Sequence, residues 1–234
     1  LDNETKHYDN IGRYMQEGFV RSLQEKYPDL RQLNHDFGLD YWSNRIDRWQ
    51  DFPPVENTIN ASLACAFSRY QRQQVTEYLA WQAEIVREYA QPHQFVTHNF
   101  DFEWRGYSYG VQPRVDHFAA AQALDIAGVD IYHPSQAHLT GREIAFGGAI
   151  TRSLKPGQNY FVLETQAQGF AQWTPYPGQL RLQAFSHIAS GAAMVSYWHW
   201  HSIHNAFETY WKGLLSHDFS RNPTWQEATT IGAD

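Results

Sequence analysis

The chain has one cysteine, Cys65, among its 234 residues. A single thiol rules out an intramolecular disulfide and any cluster of cysteines around a metal. No run of 18 apolar residues occurs, so no membrane-spanning helix is expected. Basic residues are in deficit: Lys and Arg number 18 against 25 Asp and Glu, a net charge of −7. With no basic run or stripe, a phosphate-binding surface and a nucleic-acid partner are disfavoured. Glycine-rich phosphate loops of the GxGxxG or GxxxxGKS type are missing, which lowers the open nucleotide-binding class. There is no low-complexity tract, no short repeat, no leader and no initiator Met. The first residues, LDNETKHYDN, read as if something upstream had been removed. One cysteine and the missing leader give a cytoplasmic expectation.

Aromatic residues, by contrast, are plentiful. They make up 16% of the chain, with nine Trp and fourteen Tyr. A core of this size needs fewer, and flat amphipathic rings also suit sugar-binding clefts.

Four short β-like runs are spaced along the chain: HQFVTHNF (93–100), GVDIYHP (128–134), NYFVLET (159–165) and AAMVSYWHW (192–200). They start 31 to 35 residues apart, the length of one strand-plus-helix unit. Helical spacing fills the gaps. It joins Ile11, Tyr14, Met15, Phe19, Leu23 and Tyr27 before Pro28, and Leu63, Phe67, Tyr70, Tyr78, Ile85 and Tyr89 before Pro92. Three further helices are expected from Asp116 to Leu124, Gly141 to Leu154 and Gly178 to Ser190, and PTWQEATTIGAD begins a last one. Residues 28–60, with Trp42, Trp49 and Pro53-Pro54, read as a long ordered loop. Regular β–α alternation implies a parallel sheet, open or closed into a barrel.

Active-site residues of a barrel sit where its strands end. Glu164 ends one such run, as do Asn99, Tyr132 and His199/Trp200. A lone Glu164 has a structural reading, as a carboxylate satisfied at a sheet edge. A charge beside the apolar Val162 and Leu163 nevertheless needs a partner or a task. Stepping back from Glu164 through the runs at 159, 128 and 93 lands near residue 1, where Glu4 follows Asn3. Two carboxylates facing each other across a barrel mouth are the minimal equipment for cleaving a glycosidic bond. HWHSIH offers a competing chemistry. It puts His199 and His201 on one strand face with His204 close by, a set able to hold a metal. No carboxylate or cysteine has matching ligand spacing, so these histidines are read as polar lining, as is His98 beside Asn99.

Taken together, LDNETKHY, YWSNRIDRWQDFPP, THNF, DIYHP, FVLETQAQGFAQW, YWHWHSIHNAFETYWKGLLSHDF and IGAD resemble glycoside hydrolase family 42, the retaining β-galactosidases. The resemblance implies an α/β fold, the (β/α)8 TIM barrel. Residues 1–234 would then be roughly its second half, from the end of strand 4 to helix 8, with upstream strands and downstream domains absent. On that reading the chain alone is expected to lack activity and to aggregate or oligomerise, because a half-barrel exposes sheet edges.

The resemblance also implies roles. Glu4 is the acid/base and Glu164 the nucleophile. Asn3 bonds the sugar's 2-hydroxyl, Tyr132 orients Glu164, and Glu208 grips galactose hydroxyls. Trp42, Trp173 and Trp200 wall the sugar. Trp211 stands three residues past Glu208, where some members carry a sugar-contacting His. Cysteine ligands for the zinc of many members are missing after Asn3-Glu4, so neither a structural metal nor a cofactor is expected. The implied substrate is a β-galactoside, and the resemblance allows a homotrimer for the intact enzyme. Two alternatives stay open: a barrel glycosidase of the same clan acting on β-glucosides, β-mannosides or arabinosides, and a non-catalytic carbohydrate-binding fragment.

Overall fold

The computed structural model of the chain describes residues 1–104, 110–169 and 174–234. The chain divides into two compact units. One comprises Lys6–Tyr78 with Arg114–Asp116, and the other Leu1–Thr5, Leu79–Pro113 and His117–Asp234.

The first of these units is helical. It is built from α1 (Arg13–Lys26), α2 (Leu30–Phe37) and the N-terminal part of α3 (Ala61–Tyr89). Phe19, Leu23, Leu33, Leu39, Ile46, Val55, Leu63 and Phe67 form its core. The Phe19 ring meets Phe67 edge-on at 5.1 Å between centroids. The expectation of a loop over 28–60 fails at α2. Asp29 caps that helix by accepting from Arg31 N at 2.9 Å, and Gly38 closes it at φ 62°, a left-handed conformation that glycine adopts without strain. Two short 3-10 turns follow at Tyr41–Ser43 and Trp49–Asp51. The intervening chain is pinned by the buried Asn34, whose amide donates to Ile46 O at 2.7 Å and accepts from Ile46 N at 2.9 Å.

The second unit carries the sheet. Its strands are β1 (Asn99–Phe100), β2 (Gly128–Asp130), β3 (Tyr160–Gln166) and β4 (Ala192–Trp198), in that spatial order and all parallel. The helices between them are α4 (His117–Ala120), α5 (Arg142–Leu154) and α6 (Gln179–Ala189), with α7 (Pro223–Ala233) after β4. Each strand-to-strand step crosses over through helix, as parallel neighbours require. Phe100, Val129, Ile131, Ile144, Val162, Leu180 and Ala184 are each at most 2% exposed and form the layer between sheet and helices. α7 starts with Pro223 in its first turn, and the Asn222 side chain accepts from Trp225 N at 3.0 Å.

Strand lengths depart from the sequence reading in a way that matters for the site. Only Asn99 and Phe100 of the run 93–100 join the ladder. Upstream, Val96 N is taken by Asp125 Oδ2 at 2.7 Å and Thr97 Oγ1 donates to Ile126 O at 2.8 Å, so that stretch is tied by other bonds. β3 continues to Gln166, two residues past Glu164, while β2 stops at Asp130, short of Tyr132. β4 stops at Trp198, so the histidines after it do not share a strand face. The expected helix from Asp116 shrinks to α4 followed by a 3-10 turn at Ala121–Ala123.

β2 packs too closely on its neighbours to accept a side chain at its first residue. A Cβ on Gly128 would lie 2.3 Å from Leu163 Cδ1 and 2.7 Å from the His98 carbonyl oxygen. The leucine can rotate, but the backbone carbonyl cannot. Gly128→Ala is therefore expected to destabilise the protein by about 2 kcal/mol, measured by chemical denaturation. A variant as stable as the parent would show that β1 and β2 can spread at no cost.

Candidate active site

β3 carries an irregularity that composes the site. Gly128 pairs with Phe161 and Val129 with Val162, but Asp130 pairs with Glu164, skipping Leu163. The same stretch slips against β4, where Val162 pairs with Val195 and Thr165 with Tyr197. One extra residue in β3 thus reverses the alternation of its side chains. Glu164, rather than Leu163, is set beside Asp130.

Glu4 joins them from the N-terminal segment. Single carboxyl oxygens of Glu4, Asp130 and Glu164 all lie within 4.8 Å of one another. Glu4 is held in the left-handed region at φ 43°, which residues other than glycine seldom visit. Its amide donates to Asn99 Oδ1 at 3.4 Å, and the next amide, Thr5 N, donates to His98 Nε2 at 3.2 Å. His98 can accept because burial pushes its pKa down to about 4, so the ring is neutral at pH 7.

Asn99 links three segments. Its Nδ2 donates to Asn3 Oδ1 at 2.7 Å, to Asp130 Oδ2 at 2.7 Å and to Glu164 Oε1 at 3.2 Å. The other Glu164 oxygen, Oε2, accepts from the Tyr132 hydroxyl at 2.8 Å. Burial raises the Glu164 pKa, and the negative charges of Glu4 and Glu208 add to that, while the Tyr132 and Asn99 hydrogen bonds pull it down. Tyr132 itself titrates well above a free tyrosine, chiefly through burial and then through the adjacent Glu164 charge. It is a neutral donor throughout the physiological range.

Tyr132 also faces a cavity of about 440 Å³, lined among others by Trp104, His133, Gln166 and Trp211. Trp211 is buried and its ring lies 5.2 Å from that of Tyr132. Glu208 is exposed on the loop after β4, and its Oε2 accepts from Trp198 Nε1 at 3.1 Å.

The structure therefore brings Asn3, Glu4, Tyr132 and Glu164 into one bonded cluster, with Glu208 acting on Glu164 and the Trp211 ring packed at a tilt against Tyr132. Trp200 is 60% exposed and engages through its carbonyl, which accepts from Leu215 N at 2.9 Å. Trp42 is on the helical unit, 74% exposed, at φ 55°. Trp173 lies outside the described residues. The His201 ring meets that of His199 edge-on at 5.3 Å and lies tilted against that of His204 at 5.5 Å between centroids. His201 Nδ1 lies 2.8 Å from the Ser202 carbonyl, and His204 Nε2 bonds to the His217 carbonyl.

Two cluster members had no role in the sequence reading. Asn99 is visible there only as a strand end. Asp130 stands inside GVDIY, where an acid in an otherwise apolar run is the one available signal.

Comparison with known proteins gives one consistent answer. The family model described as Beta-galactosidase, glycoside hydrolase family 42, matches residues 1–234. A β-galactosidase of Thermus thermophilus is 30% identical over 259 residues, covering 100% of this chain and 38% of the relative. The β-galactosidase BgaH of Haloferax lucentense is 28% identical, covering 98% of this chain and 36% of the relative. Among solved structures, a polyextremophilic β-galactosidase from Halorubrum lacusprofundi superposes with a TM-score of 0.85 at 24% identity, over 99% of this chain and 37% of that one. Gan42B, a GH42 β-galactosidase from G. stearothermophilus, gives 0.87 at 24% identity, over 99% of this chain and 35% of that one. The chain thus spans a little over a third of the length of these relatives. At such identities the structural likeness carries the fold, that of the TIM-barrel β-galactosidases.

Proposed function

The chain belongs to glycoside hydrolase family 42, and from that premise we propose that it supplies the catalytic carboxylates of a retaining β-galactosidase, Glu4 as acid/base and Glu164 as nucleophile. The observation that carries the proposal is the approach of Glu4 and Glu164, with carboxyl oxygens within 4.8 Å. Retaining glycosidases keep their two carboxyl groups about 5–5.5 Å apart, whereas inverting ones need roughly 6.5–9.5 Å to admit a water.

In the first step a Glu164 oxygen attacks the anomeric carbon. The bond to the leaving oxygen breaks and that oxygen takes the Glu4 proton. In the second, Glu4 removes a proton from water, whose oxygen attacks the same carbon and expels Glu164. Tyr132 and Asn99 each donate to Glu164 and hold it ionised and oriented against the burial that would neutralise it. Asn3 is the residue proposed to meet the 2-hydroxyl, Glu208 to bind galactose hydroxyls, and Trp211 and Trp200 to wall the sugar or its aglycone.

By the family resemblance the four strands correspond to strands 5 to 8 of the barrel, which puts Glu4 after strand 4 and Glu164 after strand 7. A cytoplasmic location and a trimeric assembly of the whole protein belong to the same reading. The first is supported by the single cysteine, the second by the resemblance alone. Among the described residues no helix is long and apolar enough to cross a membrane.

The test uses the full-length protein and chromogenic β-galactoside, β-glucoside, β-mannoside and α-L-arabinoside substrates. Galactoside hydrolysis is expected to exceed the others, with the β-anomer of galactose appearing first by NMR. Preference for another sugar would assign the protein to a neighbouring specificity, and first release of the α-anomer would refute the double displacement.

A further inference from the structure

The mechanism just given uses two of the three clustered carboxyls. The third, Asp130, is 2% exposed, on a strand buried along its whole length. Its Oδ2 accepts from Asn99 Nδ2 at 2.7 Å, and its Oδ1 is buried with no hydrogen-bond partner among the described residues. A carboxyl oxygen of Asp130 lies within 4.8 Å of one of Glu4. Two carboxyl groups brought together in this way can bond only if a proton lies between them.

The question is which members of the trio carry charge. Three carboxylates this close cannot all be ionised. Glu164 has two donors, Tyr132 and Asn99, one on each oxygen. Glu4 is only half-buried and can exchange its proton. Asp130 has one bare oxygen and the deepest burial. The groups acting on it are Glu164 from β3, Glu4 from the N-terminal segment and Asn99 from β1, none of them cationic. Tyr132, beyond the end of its own strand, and Glu208, acting on Glu164 from the loop after β4, are likewise not cationic.

We propose that Asp130 is held as an uncharged carboxylic acid whose proton is donated to Glu4, in a hydrogen bond that strengthens when Glu4 becomes ionised. This rests on the acid/base role assigned to Glu4. Burial, followed by the Glu164 charge, supports it by pushing the Asp130 pKa up to about 9. While Glu4 holds its own proton, the bond joins two neutral groups. Once that proton has passed to the leaving oxygen, the same bond runs from O–H to carboxylate, a class roughly twice as strong. The Asp130 proton stays on Asp130 throughout. Asp130 is thus a positioning residue that acts through Glu4. Its neutrality also spares Glu164 a further negative neighbour.

The test compares Asp130→Asn and Asp130→Ala in the full-length protein. Asn is neutral and can donate in the same place. It is expected to reduce kcat/KM less than tenfold and to leave both limbs of the pH profile where they are. Ala removes the donor. It is expected to reduce kcat/KM roughly ten- to a hundredfold and to move the alkaline limb, which reports Glu4, to higher pH. If Asp130 is instead ionised, Asn deletes a charge, both limbs move to lower pH, and the proposal is overturned. A second readout does not depend on activity. Infrared difference spectra at neutral pH, parent minus Asp130→Asn, should show a protonated-carboxyl C=O band, and a carboxylate band in its place overturns the proposal. The galactosidase reading fails separately, by absent galactoside hydrolysis, and leaves the infrared result intact.

Discussion

Replacing Glu164 with glycine in the full-length protein is expected to lower galactoside turnover on the order of 10⁴- to 10⁶-fold, the range found when a covalent nucleophile is removed. Added azide should then restore a large part of it. The donors that serve Glu164 make the rescue specific. Tyr132 OH lies 2.8 Å from one carboxylate oxygen and Asn99 Nδ2 lies 3.2 Å from the other. With the side chain gone, both donors face an emptied space and can hold a small anion where the carboxylate stood. Azide attacking from that side displaces the leaving group once, so the product is α-galactosyl azide. Glu164→Gln should be equally inactive but not rescued, because the amide still fills the space. This contrast separates loss of a nucleophile from loss of fold, since the variant that disturbs packing more is the one that recovers. Unchanged hydrolysis in either variant, or β-galactosyl azide from the glycine variant, would remove Glu164 from the nucleophile's place.

The rhythm of strands and helices is legible from residues 61 to 200 because apolar runs of strand length alternate with helical spacing and are cut by glycine and proline. The strand holding Glu164 and the helices α3, α5 and α6 follow from that pattern almost to the residue. α2 is written in the sequence too, as Asp29, then Leu30, Leu33 and Phe37, then Gly38, but the aromatic and proline residues downstream draw the reading toward a loop. The site is legible only in part, for a different reason. Glu4 and Glu164 are visible as residue types at strand ends, whereas Asp130 becomes a neighbour of Glu164 only through the extra residue in β3. Register between two parallel strands is a property of the pair, and neither GVDIY nor YFVLET contains it. Without the slip, Leu163 would stand beside Asp130, and the acid would have an apolar neighbour. Asn99 is hidden in the same way. Its bonds to Asn3, Asp130 and Glu164 join residues up to 96 positions apart.

Glu4→Ala should divide substrates by the quality of their leaving groups. General acid catalysis is worth about 10²–10⁴-fold when the departing oxygen is a poor leaving group and little when it is a good one. Lactose-like and alkyl galactosides are therefore expected to lose about three orders of magnitude in kcat/KM, while dinitrophenyl galactoside loses less than tenfold. The second step suffers for every substrate, because the same residue must deprotonate water. With the activated substrate the galactosyl–Glu164 ester should accumulate, seen as a burst of dinitrophenol and by mass spectrometry of the intact protein. Azide needs no deprotonation and should relieve that block. Since it attacks the face opposite Glu164 in a second displacement, it should yield β-galactosyl azide, the opposite anomer to that from Glu164→Gly. The two anomers form a crossed pair that general damage to the site could not produce. An equal loss on lactose and on dinitrophenyl galactoside, with no burst, would show that Glu4 serves the fold and that the proton comes from elsewhere.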